Sequence, residues 1–417
     1  MKQKIVVILI LLLTLISCKK EFNFFQQENE NGLPNYGNVD VENVFTAEDS
    51  QLQDKQNVVN AIQQYYDKVW EKGDLSGGFL VAKGDKILFE SYRGFAKENN
   101  QVPINKDVPL HIASISKSLT AMAVLKLVEA RKINLHDKVT HYFPKFPYKE
   151  VEVIHLLNHR SGLPKYEYFI EKLGLKPKNK YFTNQEVLDL LIQHKPDLAR
   201  NTNTGFMYCN TNYALLALIV EKVTAHPFPL AMQKIVFKPL GMEHTYIFQQ
   251  KDSLRAAQSF YYQGNRLYPT DKLDGIYGDK NCYTTPRDLF KFSKAMYAEN
   301  FLRKSLKDSI FTPYSNERRG VNNYGLGFRM KVFDNGEKLT FHNGWWHGSN
   351  TAFVHLQKSK VTIIALGNKF SRRVYSALTL SSLFEDFPLE REKLNKLMNK
   401  EIDTTKENHD AAAESTE

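Results

Sequence analysis

LHIASISKSLTAMAVLKLVEAR, residues Leu110–Arg131, reads as a short extended lead-in followed by a long apolar helix. Leu119, Met122, Val124, Leu125, Leu127 and Val128 cover more than one face, so the pattern predicts a rod buried on most sides. At its start stand Ser114 and, one turn on, Lys117. Side chains three apart on a helix have Cβ atoms about 5–6 Å apart and project to the same side. A hydroxyl and an amine are thereby held together at the end of an apolar rod, which suits a nucleophile and its base. The structural alternatives are an N-cap for Ser114 and, for Lys117, an ammonium reaching out to solvent. Ser-x-x-Lys also occurs at Ser17–Lys20, in a segment unfit for catalysis, so the pattern needs partners elsewhere in the chain.

Tyr208-Cys209-Asn210 supplies one. It lies in a polar loop before the apolar helical stretch Tyr213–Val223, so Tyr208 and Asn210 can face one cleft while Cys209 points away. Copies of Tyr-x-Asn at Tyr36 and Tyr314 lack that setting: the first lies in a polar N-terminal stretch, the second has no apolar helix after it. His342-Asn343-Gly344 supplies the far wall, at the end of a predicted strand Lys338–Phe341. Glycine there lets a substrate approach the backbone closely. The N–H groups of Trp345 and Ser114 can form an oxyanion hole. Asn343, Gly344 and Trp346 are the expected substrate contacts. The rival Lys172-Leu173-Gly174 falls in a helical region and out of order.

With these motifs in sequence, the chain resembles the serine β-lactamase and penicillin-binding protein superfamily, on its class C β-lactamase, D-alanyl-D-alanine carboxypeptidase and esterase side. HIASISKSLTAMAVLKLVE is similar to the family's nucleophile helix, LLNHRSGLP (Leu156–Pro164) to a turn segment, and YCNTNYALLALIVEKVT to its Tyr-x-Asn helix. YGLGF (Tyr324–Phe328) resembles the approach to the late strands, and FHNGWWHG the segment carrying Lys-Thr-Gly or His-x-Gly. The likeness spans about residues 56–385, in the family's order. It implies that Ser114 attacks a carbonyl to form an acyl-enzyme and that Lys117 deprotonates it as an amine kept neutral by burial and nearby positive charge. It further implies that Tyr208 shuttles a proton, that Asn210 holds Lys117 and the acyl amide, and that His342 sets polar or positive character beside Tyr208. The chain departs from the pattern at Asn343, where Thr or Ser is common, and at Trp345 and Trp346, where small residues leave room. The two tryptophans either narrow the site or pack outward as core aromatics.

Strand character at Gly77–Lys83 and Lys86–Phe95 returns only beyond Tyr324, at Gly327–Phe333, Lys338–Phe341, Ala352–Gln357 and Val361–Leu366. The expected fold is therefore α/β (α+β): an antiparallel sheet built from both chain ends, flanked by helices, with a mainly helical lobe inserted at about residues 132–270. This is the β-lactamase/transpeptidase-like arrangement that the resemblance implies. Helices are expected at Val187–Ile192, Arg287–Ala298 and about Ser371 to Phe384. The domain spans 55–390, after a flexible tether at 18–54 and before a charged, low-order tail at 391–417.

Residues 1–17 read as an export signal: Lys2 and Lys4, a short apolar run, then Cys18 in a setting that resembles a bacterial lipobox. The run is shorter than the roughly 20 residues that span a bilayer. Lipidation of Cys18 would tether the protein to a bacterial membrane outside the cytoplasm. Cys209 and Cys282 then remain, expected as unpaired buried thiols. The net charge of +10 comes from scattered lysines without a nucleic-acid motif, so no nucleic-acid partner is expected. His155 and His159 stand four apart, but no glutamate occupies position 156 and no third ligand follows at metalloprotease spacing, so neither a metal nor another cofactor is expected. Asp279-Lys280-Asn281 reads as a solvated loop at the cleft rim. The expected activity is hydrolysis of an amide or ester: a D-amino-acid peptide, a small ester or a β-lactam-like compound. The alternative is a penicillin-binding or wall-sensing protein that acylates with little turnover.

Overall fold

The computed structural model describes residues 37–98, 102–317, 320–402 and 404. The signal stretch, Cys18 and the tether up to residue 36 lie outside the described residues, as do residues 405–417 of the tail.

Ten strands follow in chain order: β1 Gly77–Lys83, β2 Lys86–Arg93, β3 Leu110–His111, β4 Tyr246–Ile247, β5 Cys282–Thr284, β6 Asn322–Tyr324, β7 Arg329–Val332, β8 Lys338–Trp346, β9 Ser349–Leu356 and β10 Val361–Gly367. Seven form one antiparallel sheet in the order β2-β1-β10-β9-β8-β7-β6, so strands from the two chain ends meet at β1 and β10 in the register Gly77↔Gly367 to Lys83↔Val361. Alternation along these strands feeds two cores. Leu80, Phe353, Ile364 and Leu366 enter the core shared with the helical lobe, while Phe79, Val81, Val354 and Ile363 enter the other. A sheet covered on both faces needs apolar residues at successive positions, and β9 and β10 are buried throughout. A second sheet, β3-β5-β4, is small.

The helices that matter to the site are α1 Lys55–Tyr66, α2 Ser116–Glu129, α3 Tyr166–Lys172, α4 Asn184–His194, α5 Asn210–Thr224, α6 Pro286–Ala295 and α7 Pro388–Asn399. Every residue of α2 from Ser116 to Val128 is buried, as the absence of a polar face predicts. α1 and the 3-10 helix Arg372–Leu383 cover the opposite face of the sheet. The lobe between β3 and β5 is mainly helical, as expected. Among the described residues no single helix is long and apolar enough to cross a membrane.

Two boundaries are corrected. The tether does not run free to residue 54: Val39 and Val41 are buried in the main core, the Val39 N–H donates to the Pro239 carbonyl at 2.8 Å, and Glu42 pairs with Lys294 at 3.1 Å. Two valines spaced to share one side of an extended segment suffice to seat it, although its composition is polar. At the other end order continues past residue 391 through α7, because Leu394 enters the second core and buried Glu390 receives Lys331 at 2.5 Å.

Candidate active site

The chain turns sharply just before α2. Ala113 has φ +46°, in the left-handed region that a residue with a Cβ adopts only under constraint, and Ala113–Ile115 form a 3-10 turn instead of a capped helix start. Ser114 is therefore not an N-cap. The turn is held from two sides: the Ile112 N–H donates to the Cys282 carbonyl on β5 at 3.0 Å, and Thr351 Oγ1 on β9 donates to the Ile112 carbonyl at 2.9 Å. Gly344 on β8 completes the clamp. A Cβ there would stand 2.5 Å from the Ile112 carbonyl oxygen and 3.0 Å from the Ala113 Cβ, so only glycine lets the strand lie against the turn.

Ser114 lines a cleft of about 450 Å³, and Lys117 lies fully buried beneath it. Lys117 Nζ is 3.0 Å from Ser114 Oγ, 2.8 Å from the Asp279 carbonyl oxygen and 4.9 Å from the centre of the Tyr208 ring. The amine is thus held by a backbone acceptor on one side and aimed at the hydroxyl on the other. The cleft is also lined by Tyr208, Asn210, Asn343, Gly344, Trp345 and Trp346. Seven of the nine expected site residues share one cavity, with Lys117 and His342 in the packing behind it. Both tryptophans face it. Trp345 is 37% exposed, and the Trp346 indole N–H donates to Asp274 Oδ1 at 2.8 Å, so neither is a purely outward core aromatic.

Three expectations are corrected. His342 is completely buried and does not line the cleft. Its Nδ1 lies 2.7 Å from the Asn343 carbonyl, which can only accept, so Nδ1 carries the proton and Nε2 accepts from the Tyr324 hydroxyl at 3.1 Å. Burial, with Arg329 and Lys117 adding repulsion, holds its pKa well below the ordinary histidine value, so it is a neutral support. The positive charge beside Tyr208 belongs to Arg329, whose guanidinium lies 4.6 Å from the ring centre. Second, Asn210 is the first residue of α5, and its amide donates to Glu167 on α3. Third, Asp279-Lys280-Asn281 is buried, not solvated. The Tyr166 hydroxyl donates to Asp279 Oδ2 at 2.7 Å, and Lys280 Nζ donates to the Tyr166 hydroxyl at 2.6 Å and lies 3.3 Å from Asp279 Oδ2, which pairs the two charges inside the protein and fixes the carbonyl that holds Lys117.

His155 and His159 both take part in backbone contacts. The Glu152 N–H donates to His155 Nδ1 at 3.2 Å, while His159, left-handed at φ +58°, accepts the Cys209 N–H at 3.2 Å. Cys209 and Cys282 are both free and buried, and burial pushes the Cys209 thiol up to about 12. Sequence reasoning missed Glu167, Arg329 and Arg372, all of which line the cleft. An acid inside the aromatic run Tyr166-Glu167-Tyr168 and an arginine opening β7 were the available signals.

Comparison with known proteins agrees with this geometry. The family described as Beta-lactamase matches residues 62–380. Penicillin-binding protein 4* of Bacillus subtilis is 30% identical over 344 residues, covering 79% of this chain and 76% of that protein. The crystal structure of a penicillin-binding protein from Bacillus halodurans superposes with TM-score 0.66 at 26% identity, covering 80% of this chain and 100% of the other. The D-amino acid amidase from Ochrobactrum anthropi superposes with TM-score 0.63 over 82% of this chain and 98% of its own, and at 21% identity it speaks for the fold alone.

Proposed function

The chain belongs to the beta-lactamase family and is a serine hydrolase of that family, and from this premise we propose that it cleaves an amide or ester through an acyl-enzyme on Ser114. The observation that carries the reading is the dry amine: Lys117 Nζ lies fully buried, 3.0 Å from Ser114 Oγ at the edge of an open cleft. Ser114 Oγ attacks the substrate carbonyl carbon while its proton passes to Lys117 Nζ. The N–H groups of Ser114 and Trp345 receive the oxygen as it gains charge, and Tyr208 returns a proton to the leaving group. Water then hydrolyses the ester on Ser114. Arg329 and Arg372 give the cleft positive character, which favours substrates bearing a carboxylate near the scissile bond.

The test is covalent labelling with a fluorophosphonate and with a fluorescent penicillin, read by intact mass and peptide mapping. One adduct on the peptide containing Ser114, absent in Ser114→Ala, is the expected outcome. An adduct that persists in Ser114→Ala would remove Ser114 from the chemistry.

The reading includes a lipid anchor at Cys18, supported by Lys2, Lys4 and the apolar run between them and the cysteine. The full-length protein is then expected in the membrane fraction of an expressing bacterium, and Cys18→Ala outside it. Identical partition of the two chains would dismiss the anchor.

A further inference from the structure

Three residues that line the cleft each carry an oxygen without a hydrogen-bond donor. These oxygens are Glu167 Oε2, Asn210 Oδ1 and Asn343 Oδ1, each shielded from solvent. They come from three separate elements, α3, the start of α5, and β8. Leaving a buried acceptor unpaired is costly, so native structures rarely keep several in one place without a use for them. In two of the three residues the other half of the group is already engaged: Asn210 Nδ2 donates to Glu167 Oε1, which leaves Glu167 Oε2 and Asn210 Oδ1 without a donor. No positively charged side chain pairs with Glu167 among the described residues, whereas the buried acid Glu390 has Lys331.

We infer that Glu167, Asn210 and Asn343 form a subsite for a primary ammonium, the free α-amino group of an aminoacyl amide or ester whose carbonyl Ser114 attacks. The inference rests on the acyl-enzyme reading for the identity of that carbonyl. An ammonium brings three N–H donors and one positive charge to three acceptors of which one is a carboxylate. Water brings only two donors and no charge. A neutral amide likewise supplies two at most, and would leave Glu167 without a counter-charge. Burial raises the Glu167 pKa in the empty cleft, which is the condition an arriving cation relieves. A site arranged in this way selects substrates with an unblocked amino terminus on the acyl side. Acylating that amine removes the charge and all but one of its N–H groups.

The test compares alanyl p-nitroanilide, as both enantiomers, with its N-acetyl derivative. In the wild-type enzyme kcat/KM for the better free-amine enantiomer is expected to exceed that of its acetylated form by about 100-fold, the scale of leaving a buried charged acceptor unpaired. In Glu167→Gln that ratio is expected to fall below about 5, since the charge selection is gone. A merely structural role for Glu167 would lower both rates together and leave the ratio unchanged, which would overturn the inference. So would a wild-type ratio near one. A second measurement separates this subsite from the acyl-enzyme reading. Calorimetric titration of Ser114→Ala with alaninamide is expected to give saturable binding, at least about tenfold weaker in Ser114→Ala/Glu167→Gln. Binding that depends on Glu167 in a protein that hydrolyses neither substrate would retain the subsite and reject the chemistry. Binding indifferent to Glu167, or none, would reject the subsite whatever the turnover.

Discussion

Lys117→Arg is expected to slow acylation of Ser114 roughly a thousandfold, the middle of the range that a positioned base contributes. The amine has no room to be something else. It is fully buried, with Nζ 3.0 Å from Ser114 Oγ and 2.8 Å from the Asp279 carbonyl oxygen. Guanidinium keeps its proton at any working pH and carries no free lone pair, so it can orient a hydroxyl but cannot deprotonate it. It is also larger, and overfilling a packed interior costs about 1–3 kcal/mol, so a loss in this variant alone has two explanations. Lys117→Met separates them. Methionine keeps the packing and removes the nitrogen. Both variants should remain folded by urea denaturation and react with a fluorophosphonate at similarly reduced rates. Acylation of Lys117→Met within tenfold of wild type would take the lysine out of the proton path.

Mild acid is expected to unfold the protein. His111, His159, His342 and His355 are buried and held neutral, chiefly by desolvation: His111 is lowered to about 4, His355 to about 3, and the other two well below the ordinary value. In the unfolded chain each takes up a proton near pH 6.5, whereas in the folded one burial holds that uptake to lower pH, to about 4 for His111 and about 3 for His355. Between those limits the unfolded state binds more protons, so stability falls as pH falls. At pH 5 His111 and His355 account for about 2 kcal/mol each, about 4 together and a large share of the stability of a typical domain, and His159 and His342 act in the same direction. The raised Glu167 acts in the opposite direction but is a single group. Urea midpoints at pH 7, 6 and 5 should therefore drop steeply. His355→Asn, which keeps a polar partner for Ser293 Oγ, now 2.7 Å from His355 Nδ1, should lower the slope by up to one proton's share. A flat profile between pH 7 and 5 would mean that these rings are already charged or reached by water in the native state.

Much of the scaffold was legible because it rests on periodicity. The unbroken apolar run of α2, the strand from Gly77 to Lys83 and the apolar run from Val361 onward each carry their pattern locally, and the pairing of the two chain ends follows from where strands are absent. The motifs also led to one cleft, since Ser114 and Tyr208 stand just before the apolar helices α2 and α5, although β8 runs on through His342-Asn343-Gly344 to Trp346 instead of ending at Phe341. What stayed hidden depends on contacts across the chain. Asp279 and Lys280 look like surface residues until Tyr166 arrives from α3 to bond them both. His342 looks like a charge until its burial, with Arg329 and Lys117 nearby, is seen to exclude the proton. Asn210 reaches Glu167, 43 residues earlier in the chain, and no local spacing encodes that choice. Val39, Val41 and Leu394 are short apolar marks in polar text, too few to define an element yet enough to anchor a segment.

The union of β1 with β10 has a bearing on how the molecule is made. Their register joins Gly77 to Gly367, so the centre of the sheet closes only after most of the chain has been synthesised. Such distant pairing is intrinsically slow and leaves a hairpin edge uncovered in the meantime, open to association with other chains. A nascent polypeptide of this kind gains from being kept unfolded until its carboxyl-terminal strands arrive, and a product ending before Val361 would carry β1 and β2 as a permanently open edge.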